Sequence, residues 1–231
     1  MEHALLYEFF GTALMILLGL GVVANVLLTK TKGNGSGWVV ITIAWGFAVF
    51  IGAYVAAPSG AHLNPSVTLG LALAGKFEGN IVGYIVAQML GGMFGAVLMY
   101  LFYKNHFDAE EDANLKLFSF ATAPEIRSSL TNLFSEFLAT FVLVMGILFA
   151  GQSGIEGPLP VGIVIIAIGM SLGGTTGYAM NPARDLAPRI IHFLLPIKGK
   201  RDSDWKYAWV PFVGPLLGGS LAGFIYALIG L

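Results

Sequence analysis

The sequence predicts an all-α integral membrane protein with six transmembrane helices and two re-entrant half-helices, arranged as an inverted repeat. Three observations lead to this fold class. Of the 231 residues, 56% are hydrophobic and only 11% are charged, whereas about a quarter of the residues of a soluble domain are charged. Several apolar segments have the length of a membrane span, and two shorter ones begin with Asn-Pro. The same order of features also occurs twice along the chain.

The composition excludes several classes of function. The chain has no cysteine, so disulfides, thiolate catalysis and cysteine metal sites are ruled out. A formal net charge of −1 gives no reason to expect nucleic acid as a partner. The N-terminal apolar run is too long for the hydrophobic region of a signal peptide and lacks a basic segment before it, so we interpret it as the first span.

A spanning helix needs about 20 mostly apolar residues. The segments that approach this length are Ala4–Thr29, Trp38–Ala56, Ile81–Tyr103, Leu130–Ala150, Leu159–Gly174 and Ala208–Leu231, of which the fifth is short. Two further apolar runs, Asn64–Gly75 and Asn181–Leu195, would form helices of about 15–20 Å at 1.5 Å per residue. Two such half-helices meeting end to end would cover the bilayer core of about 30 Å.

The two halves of the chain resemble each other in sequence. The stretches EFFGT (8–12), SGAHLNP (59–65) and LGGMFGA (90–96) recur as EFLAT (136–140), TGYAMNP (176–182) and LGGSLAG (217–223). Each half carries an odd number of spans, so the second half must cross the membrane in the inverted sense. We therefore predict one transmembrane channel domain over 1–231, with repeat halves 1–103 and 130–231. The segment 104–129 between them is either a solvated loop or part of a vestibule.

An Asn-Pro motif begins each predicted half-helix. The motifs are Asn64, Pro65 and Ser66 in the first half, and Asn181, Pro182 and Ala183 in the second. Asparagine is a good N-cap and proline suits the first helical turn. If both helix N-termini meet at the midplane, their dipoles make the centre electropositive and disfavour cations, including protons. The two asparagine amides would donate hydrogen bonds to a passing oxygen.

The residues before each motif are predicted to be non-helical. Backbone of this kind is tolerated at membrane depth only where it is buried in protein or lines a cavity. The carbonyls expected to line the pore belong to Ala61, His62, Leu63, Gly177, Tyr178 and Ala179. A metal site at His62 is not expected, because no second ligand stands at a suitable spacing.

Arg184 and Asp185 are charges within the second half-helix. A charged residue inside a membrane is costly and usually functional. Adjacent residues of a helix do not face each other, so we expect Arg184 to point into the pore rather than to pair with Asp185. Asp185 would instead reach Arg189 four residues later, or hold a loop.

Glu8 and Glu136 are acids at equivalent places in the two halves. We expect them to be structural, accepting N–H groups of the non-helical loops. They could instead form a proton-coupling pair, and the alternative function is a proton-coupled secondary transporter of a small polar solute. The stretch GQSG at 151–154 has the shape found around a serine nucleophile. It is too short to carry an assignment, and we predict no catalytic residue and no cofactor.

The paired motifs, six spans and inverted repeat resemble the major intrinsic protein (aquaporin) family over essentially the whole chain. The likeness is strongest to bacterial glycerol facilitators, the aquaglyceroporin branch. NPARD retains the aspartate that is typical of this branch, and an arginine follows four residues later. The resemblance implies a constriction formed by Trp45, Gly169, Tyr178 and Arg184. Water-specific relatives usually have a histidine where Gly169 stands, so the glycine is expected to widen the filter.

The resemblance also implies the function and its setting. We expect a passive channel for glycerol and other small uncharged solutes, with water passing as well. Dihydroxyacetone, urea, hydrogen peroxide and undissociated lactic acid are the further candidates, because Tyr178 replaces the phenylalanine common in glycerol facilitators. A homotetramer in a bacterial inner membrane, with both termini cytoplasmic and 104–129 extracellular, is implied too. This orientation conflicts with the positive-inside rule, since Lys76 would be the only basic residue of a cytoplasmic connection.

Overall fold

A computed structural model describes residues 3–150 and 157–230 of the protein. Within these ranges the chain forms only helices and connecting segments. In chain order the α-helices are α1 (Ala4–Leu27), α2 (Trp38–Ala56), α3 (Pro65–Leu73), α4 (Ile81–Phe102), α5 (Lys104–Ala109), α6 (Ala113–Phe118), α7 (Ser129–Ala150), α8 (Leu159–Ser171), α9 (Pro182–Leu194) and α10 (Val210–Leu228).

Five of these helices, α1, α2, α4, α7 and α10, are long and apolar enough to cross a membrane. The remaining span, α8, is shorter than predicted because it ends at Ser171, and a 3-10 turn at Gly173–Thr175 follows. The last predicted span extended to Leu231, which lies outside the described residues. The GQSG stretch and its Ser153 lie outside them as well.

The two half-helices α3 and α9 begin where the Asn-Pro motifs predict. The Asn64 side chain accepts a hydrogen bond from the backbone N–H of Ser66 at 2.9 Å. The Asn181 side chain accepts from Ala183 at 2.9 Å and from Arg184 at 3.2 Å. Both asparagines therefore act as N-caps and satisfy donors that would otherwise be unpaired at a helix start.

Each half-helix packs against a long helix from the other half of the chain: α3 against α10, and α9 against α4. Glycines on α10 make the first contact possible. A Cβ atom at Gly223 would lie 2.1 Å from the carbonyl oxygen of Gly70, and one at Gly219 would lie 2.6 Å from that of Ser66. No side chain fits at such distances, so these glycines allow the two backbones to approach closely.

The segment between the halves is folded onto the protein. It contains α5 and α6, and Phe107, Leu117 and Phe120 are almost completely buried. The alternative of a simple solvated loop is therefore wrong for this part of the segment. The sequence of this segment is mostly polar, and it does not show that its few apolar side chains are buried in the fold.

Glu110 ties this segment to the connection between α1 and α2. Its carboxylate accepts from the backbone N–H of Thr29 at 2.8 Å, and from those of Glu111 and Asp112 at 2.9 Å each. Burial opposes ionisation of Glu110, but the hydrogen bonds from these N–H groups outweigh it and lower the pKa of Glu110 below its usual value. The carboxylate therefore holds the two connections together in its charged form.

Candidate pore between the two halves

A cavity of about 320 Å³ lies between the two halves of the chain. One part of its wall is apolar and comes from the long helices, with Val49 on α2, Leu143 on α7 and Ile165 on α8. The rest of the wall comes from the two non-helical loops and the starts of α3 and α9. The cavity wall thus combines apolar side chains with polar backbone and amide groups.

The two Asn-Pro motifs meet in this cavity and are bonded to each other's loops. The side-chain N–H of Asn64 donates to the carbonyl of Met180 at 2.8 Å, and that of Asn181 donates to the carbonyl of Leu63 at 2.9 Å. An amide NH₂ has two N–H groups. The described contacts use one donor of each asparagine, which leaves a second N–H on each for a solute in the cavity.

Glu8 holds the first loop from behind the cavity wall. It is fully buried and accepts hydrogen bonds from the backbone N–H groups of His62 and Leu63, at 2.8 Å each. The hydroxyl of Ser59 donates at 2.7 Å and the side-chain amide of Gln88 at 2.8 Å. Its carboxylate oxygens are therefore occupied by the loop and by α4.

Glu136 holds the second loop in the same way. It accepts from the N–H of Ala179 at 3.0 Å, from that of Met180 at 2.9 Å and from the hydroxyl of Thr176 at 2.6 Å. Neither glutamate lines the cavity. Both carboxylates thus accept hydrogen bonds from backbone N–H groups of the loop in their own half.

The loops need this support because their backbone is strained. Ala61 and Leu63 both have φ values of +53°, and Tyr178 and Met180 have values of +36° and +50°. This left-handed region is unfavourable for residues with a side chain. Alternate residues are affected in both loops, and the hydrogen bonds to the two glutamates hold this geometry.

The row of loop residues along the cavity differs from the predicted one. Of the predicted residues, Ala61, His62, Leu63, Tyr178 and Ala179 line the cavity. Gly177 does not; it faces Thr122, whose Cγ2 would lie 3.4 Å from a Cβ at this glycine. Met180 takes a place in the row instead. Tyr178, Ala179 and Met180 stand directly before Asn181, as Ala61, His62 and Leu63 stand directly before Asn64, so the observed row follows the repeat in both halves.

Three of the four predicted filter residues line the cavity: Trp45, Tyr178 and Arg184. The Arg184 guanidinium carbon lies 4.4 Å from the centroid of the Trp45 ring, within the range of a cation–π contact. Its Nη1 also lies 3.5 Å from the carbonyl oxygen of Phe120. An aromatic ring and a positively charged group thus face each other in the cavity wall.

Gly169 acts differently from the expectation, because it does not line the cavity. The place that a side chain at 169 would occupy is already filled by Tyr178: a Cβ there would lie 2.9 Å from Tyr178 Cζ and 3.1 Å from its hydroxyl oxygen. The glycine therefore sets the position of the tyrosine ring rather than the pore wall itself. The Tyr178 hydroxyl is buried and has no hydrogen-bond partner among the described residues, so it does not make the cavity wall more polar.

Asp185 and Arg189 form a buried ion pair behind the filter. Arg189 Nε donates to Asp185 Oδ1 at 2.8 Å, and the structure describes no ion pair between Arg184 and Asp185. Asp185 Oδ2 accepts from the N–H and the hydroxyl of Thr122, both at 2.7 Å. Arg189 also donates to the carbonyls of Thr122 at 2.9 Å and Ser203 at 2.8 Å. The pair fastens two connecting segments beside Arg184.

His62 lines the cavity and is also packed within the protein. Its Nδ1 lies 3.2 Å from Thr68 Oγ1, and its ring centroid lies 4.5 Å from that of Phe77. Among residues 3–150 and 157–230, no cluster of three or more His, Asp and Glu side chains could hold a metal ion.

Sequence reasoning missed the contributions of Trp38, Phe120 and Thr122. Phe120 and Thr122 lie in the segment between the halves, where no motif marks them. Trp38 stands at the start of an apolar span, a place where tryptophan is common in membrane proteins. Only the fold brings these residues next to the filter.

Comparison with known sequences identifies the family. Residues 1–226 match the profile described as Major intrinsic protein. The chain belongs to this family. It is an all-α, multi-pass membrane protein of a channel family, and not an enzyme.

Two sequence relatives and one solved structure are similar over nearly the whole chain. The glycerol uptake facilitator protein of Streptococcus pneumoniae strain R6 is 52% identical over 99% of this chain and 100% of its own length. The probable glycerol uptake facilitator protein of Thermotoga maritima is 51% identical over 96% of this chain and 97% of its own. The aquaglyceroporin of Plasmodium falciparum superposes with a TM-score of 0.86 at 33% identity, covering 98% of this chain and 95% of its own.

Proposed function

We propose that the protein is a passive channel for glycerol and other small uncharged solutes, with water as a co-permeant. The observation that carries the proposal is that Trp45, Tyr178 and Arg184 line the same cavity, with the Arg184 guanidinium over the Trp45 ring. Glycerol has carbon atoms on one side and hydroxyls on the other. The aromatic side chains suit its C–H groups, and the guanidinium and loop carbonyls suit its hydroxyls.

The same cavity is built to exclude protons and other cations. The half-helices α3 and α9 both begin at the cavity, so the positive ends of their dipoles point into it. The free amide donors of Asn64 and Asn181 and the charge of Arg184 add to this positive field. A water wire that carries protons would be interrupted where the two amides orient a passing oxygen.

A proton-coupled transporter is the weaker alternative. In such a protein a titratable acid would alternate between the pore and its partners. Here the carboxylates of Glu8 and Glu136 are occupied by the hydrogen bonds of the two loops, and no Asp or Glu lines the cavity in the part of the chain that the structure describes. These contacts favour fixed structural roles for both acids.

Similarity to the named relatives supports the choice of solute. The relative from Streptococcus pneumoniae is named a glycerol uptake facilitator and covers 99% of this chain, and that from Thermotoga maritima is named a probable glycerol uptake facilitator. We extend the proposal to dihydroxyacetone, urea, hydrogen peroxide and undissociated lactic acid as slower permeants, to a homotetramer with one pore per subunit, and to a bacterial plasma membrane.

The test is stopped-flow light scattering on proteoliposomes under a glycerol gradient, followed by a lactic acid gradient at low pH. Fast shrinkage and then fast, weakly temperature-dependent re-swelling in glycerol is the expected result, and liposomes without protein are the control. Shrinkage without re-swelling would contradict the proposal. Accumulation of solute driven by a pH gradient would favour the coupled transporter, because a passive channel only equilibrates its solute.

A further inference from the structure

Trp38 bonds the end of α8 at the residue behind the filter. Its indole Nε1 donates to the carbonyl oxygen of Gly169 at 3.0 Å. This carbonyl is one of the last four of α8, which ends at Ser171, and carbonyls at this position of a helix lack a partner in the next turn. Trp38 therefore supplies, from the first turn of α2, a partner for the end of another span.

The Trp38 ring also supports the filter aromatic directly. Its centroid lies 5.6 Å from that of Tyr178, with the ring planes at 84°, an edge-to-face geometry that is favourable for aromatic pairs. Gly173 lies between the two rings. A Cβ at Gly173 would lie 2.3 Å from Tyr178 Cδ1 and 2.9 Å from Trp38 Cζ2, so the absence of a side chain there lets both rings reach their places.

We propose that Trp38 is a positioning residue that sets the width of the pore by filling the space behind Tyr178, next to the end of α8. The inference deepens the proposed function and rests on it. Trp38 does not line the cavity and acts only through Tyr178 and Gly169. Without the indole, the tyrosine ring has an empty space on its outer side into which it can tilt, and the cavity widens beside Tyr178.

The competing explanation is an ordinary interfacial tryptophan that anchors a helix end in the headgroup region. The chain offers a matched control for this role. Trp209 precedes α10 as Trp38 begins α2, and the two side chains are 41% and 40% exposed. Trp209 has no described ring contact with a filter residue. If the two tryptophans only anchor helix ends, replacing either one should change permeability in the same way. If Trp38 also positions Tyr178, only its replacement should change the selectivity of the pore.

The experiment compares Trp38→Ala, Trp209→Ala and the wild-type protein in proteoliposomes. The quantity measured is the ratio of xylitol permeability to glycerol permeability, which does not depend on the amount of active protein. Xylitol is longer than glycerol by two CHOH units, and one carbon unit is worth about tenfold or more in a fitted site. We expect Trp38→Ala to remove part of this discrimination and to raise the ratio about tenfold. Trp209→Ala should leave it at the wild-type value.

Two further variants keep the test decisive if Trp38→Ala does not fold. Trp38→Phe removes the N–H and keeps a ring, so its ratio should lie between those of the wild type and Trp38→Ala. Gly173→Ala pushes the Tyr178 ring towards the cavity and should lower glycerol permeability several-fold more than water permeability. Unchanged ratios in all Trp38 and Gly173 variants, or equal changes at Trp38 and Trp209, would overturn the proposal.

The outcome also separates this proposal from the proposed function. Wild-type protein that conducts water but no glycerol refutes the proposed function. In that case water permeability is compared instead, and the Trp38→Ala variant must have a higher water permeability than the Trp209→Ala variant if Trp38 is to keep its positioning role. Wild-type protein that conducts glycerol, with Trp38→Ala indistinguishable from Trp209→Ala, refutes only the positioning role.

Discussion

Replacing Gly169 by alanine should narrow the pore for glycerol more than for water. The new Cβ would lie 2.9 Å from Tyr178 Cζ and 3.0 Å from Thr42 Cγ2. Carbon atoms in ordinary contact stay about 3.5–4.0 Å apart, so the Tyr178 ring carbon would have to move by roughly 0.6–1.1 Å to restore ordinary contact. Thr42 on α2 is completely buried, whereas Tyr178 borders the cavity. We therefore expect the Tyr178 ring to move, and to move into the cavity.

The size of the effect follows from this displacement. Overpacking of this kind costs about 1–3 kcal/mol, which the fold can bear. A ring that enters the filter by most of an ångström removes space that a carbon chain uses and a water molecule does not. We expect the ratio of glycerol to water permeability to fall about tenfold, comparable to the discrimination that one carbon unit produces in a fitted pocket.

The assay is stopped-flow light scattering on proteoliposomes, with water and glycerol permeability measured on the same preparation. Gly174→Ala is the matched control, because a Cβ at Gly174 would meet no atom within 4 Å. Gly169→His should produce the same contrast as Gly169→Ala in stronger form. Equal loss of water and glycerol permeability in the Gly169 variants, or an equal effect of Gly174→Ala, would show that position 169 does not set pore width.

Four other predictions follow from the described contacts. Asp185→Asn should cost about 3–5 kcal/mol of stability, because it leaves buried Arg189 without its charge partner, and an unchanged thermal unfolding temperature in detergent would contradict this. Arg184→Ala should make the pore permeable to protons or ions, and a pH-sensitive dye inside the vesicles would report the proton leak. Vesicles that hold their internal pH with this variant would argue against an electrostatic role of Arg184. Tyr178→Phe should keep glycerol permeability within about twofold and not reduce stability, because the lost hydroxyl is buried without a partner; a large fall would mean that this hydroxyl meets the solute. Because the pKa of Glu110 is lower in the folded protein than its value of about 4.3 in an unfolded chain, its ionised carboxylate stabilises the fold at pH values above 4.3. This stabilisation is lost as the pH falls through the pKa of the folded protein. Glu110→Gln should therefore reduce the loss of thermal stability that acidification causes, measured as unfolding temperature against pH.

The starts of the half-helices and the roles of their neighbours could be predicted from the sequence. Asn-Pro specifies a cap and a first turn by local chemistry, so the starts of α3 and α9 follow from short-range rules. Glu8 and Glu136 could be placed beside the loops because an acid inside a span must find donors, and the non-helical N–H groups are nearby in both halves. Each of these features occurs once in each half of the chain, so the same physical reasoning could be applied twice.

The geometry of the filter could not be predicted in the same way. Whether Gly169 widens the pore directly or makes room for Tyr178 depends on where the loop places one ring relative to α8. That position depends in turn on Trp38, which is more than a hundred residues away in sequence. The segment 104–129 presents a similar case, since its composition is that of a solvated loop and only the fold shows that Phe120 and Thr122 contact the filter and its supporting ion pair.

The hydrogen bonds that Asn64 and Asn181 make across the two halves have a consequence for how the protein folds during its synthesis. Each asparagine caps its own half-helix but gives its amide to a carbonyl of the other half. A ribosome that has finished only the first half has therefore made a loop whose bonding partner does not yet exist, and the pore can close only when the second half arrives. A chain cut between α5 and α6 should conduct only when both fragments are made together, because neither carries the oxygen that its own asparagine requires.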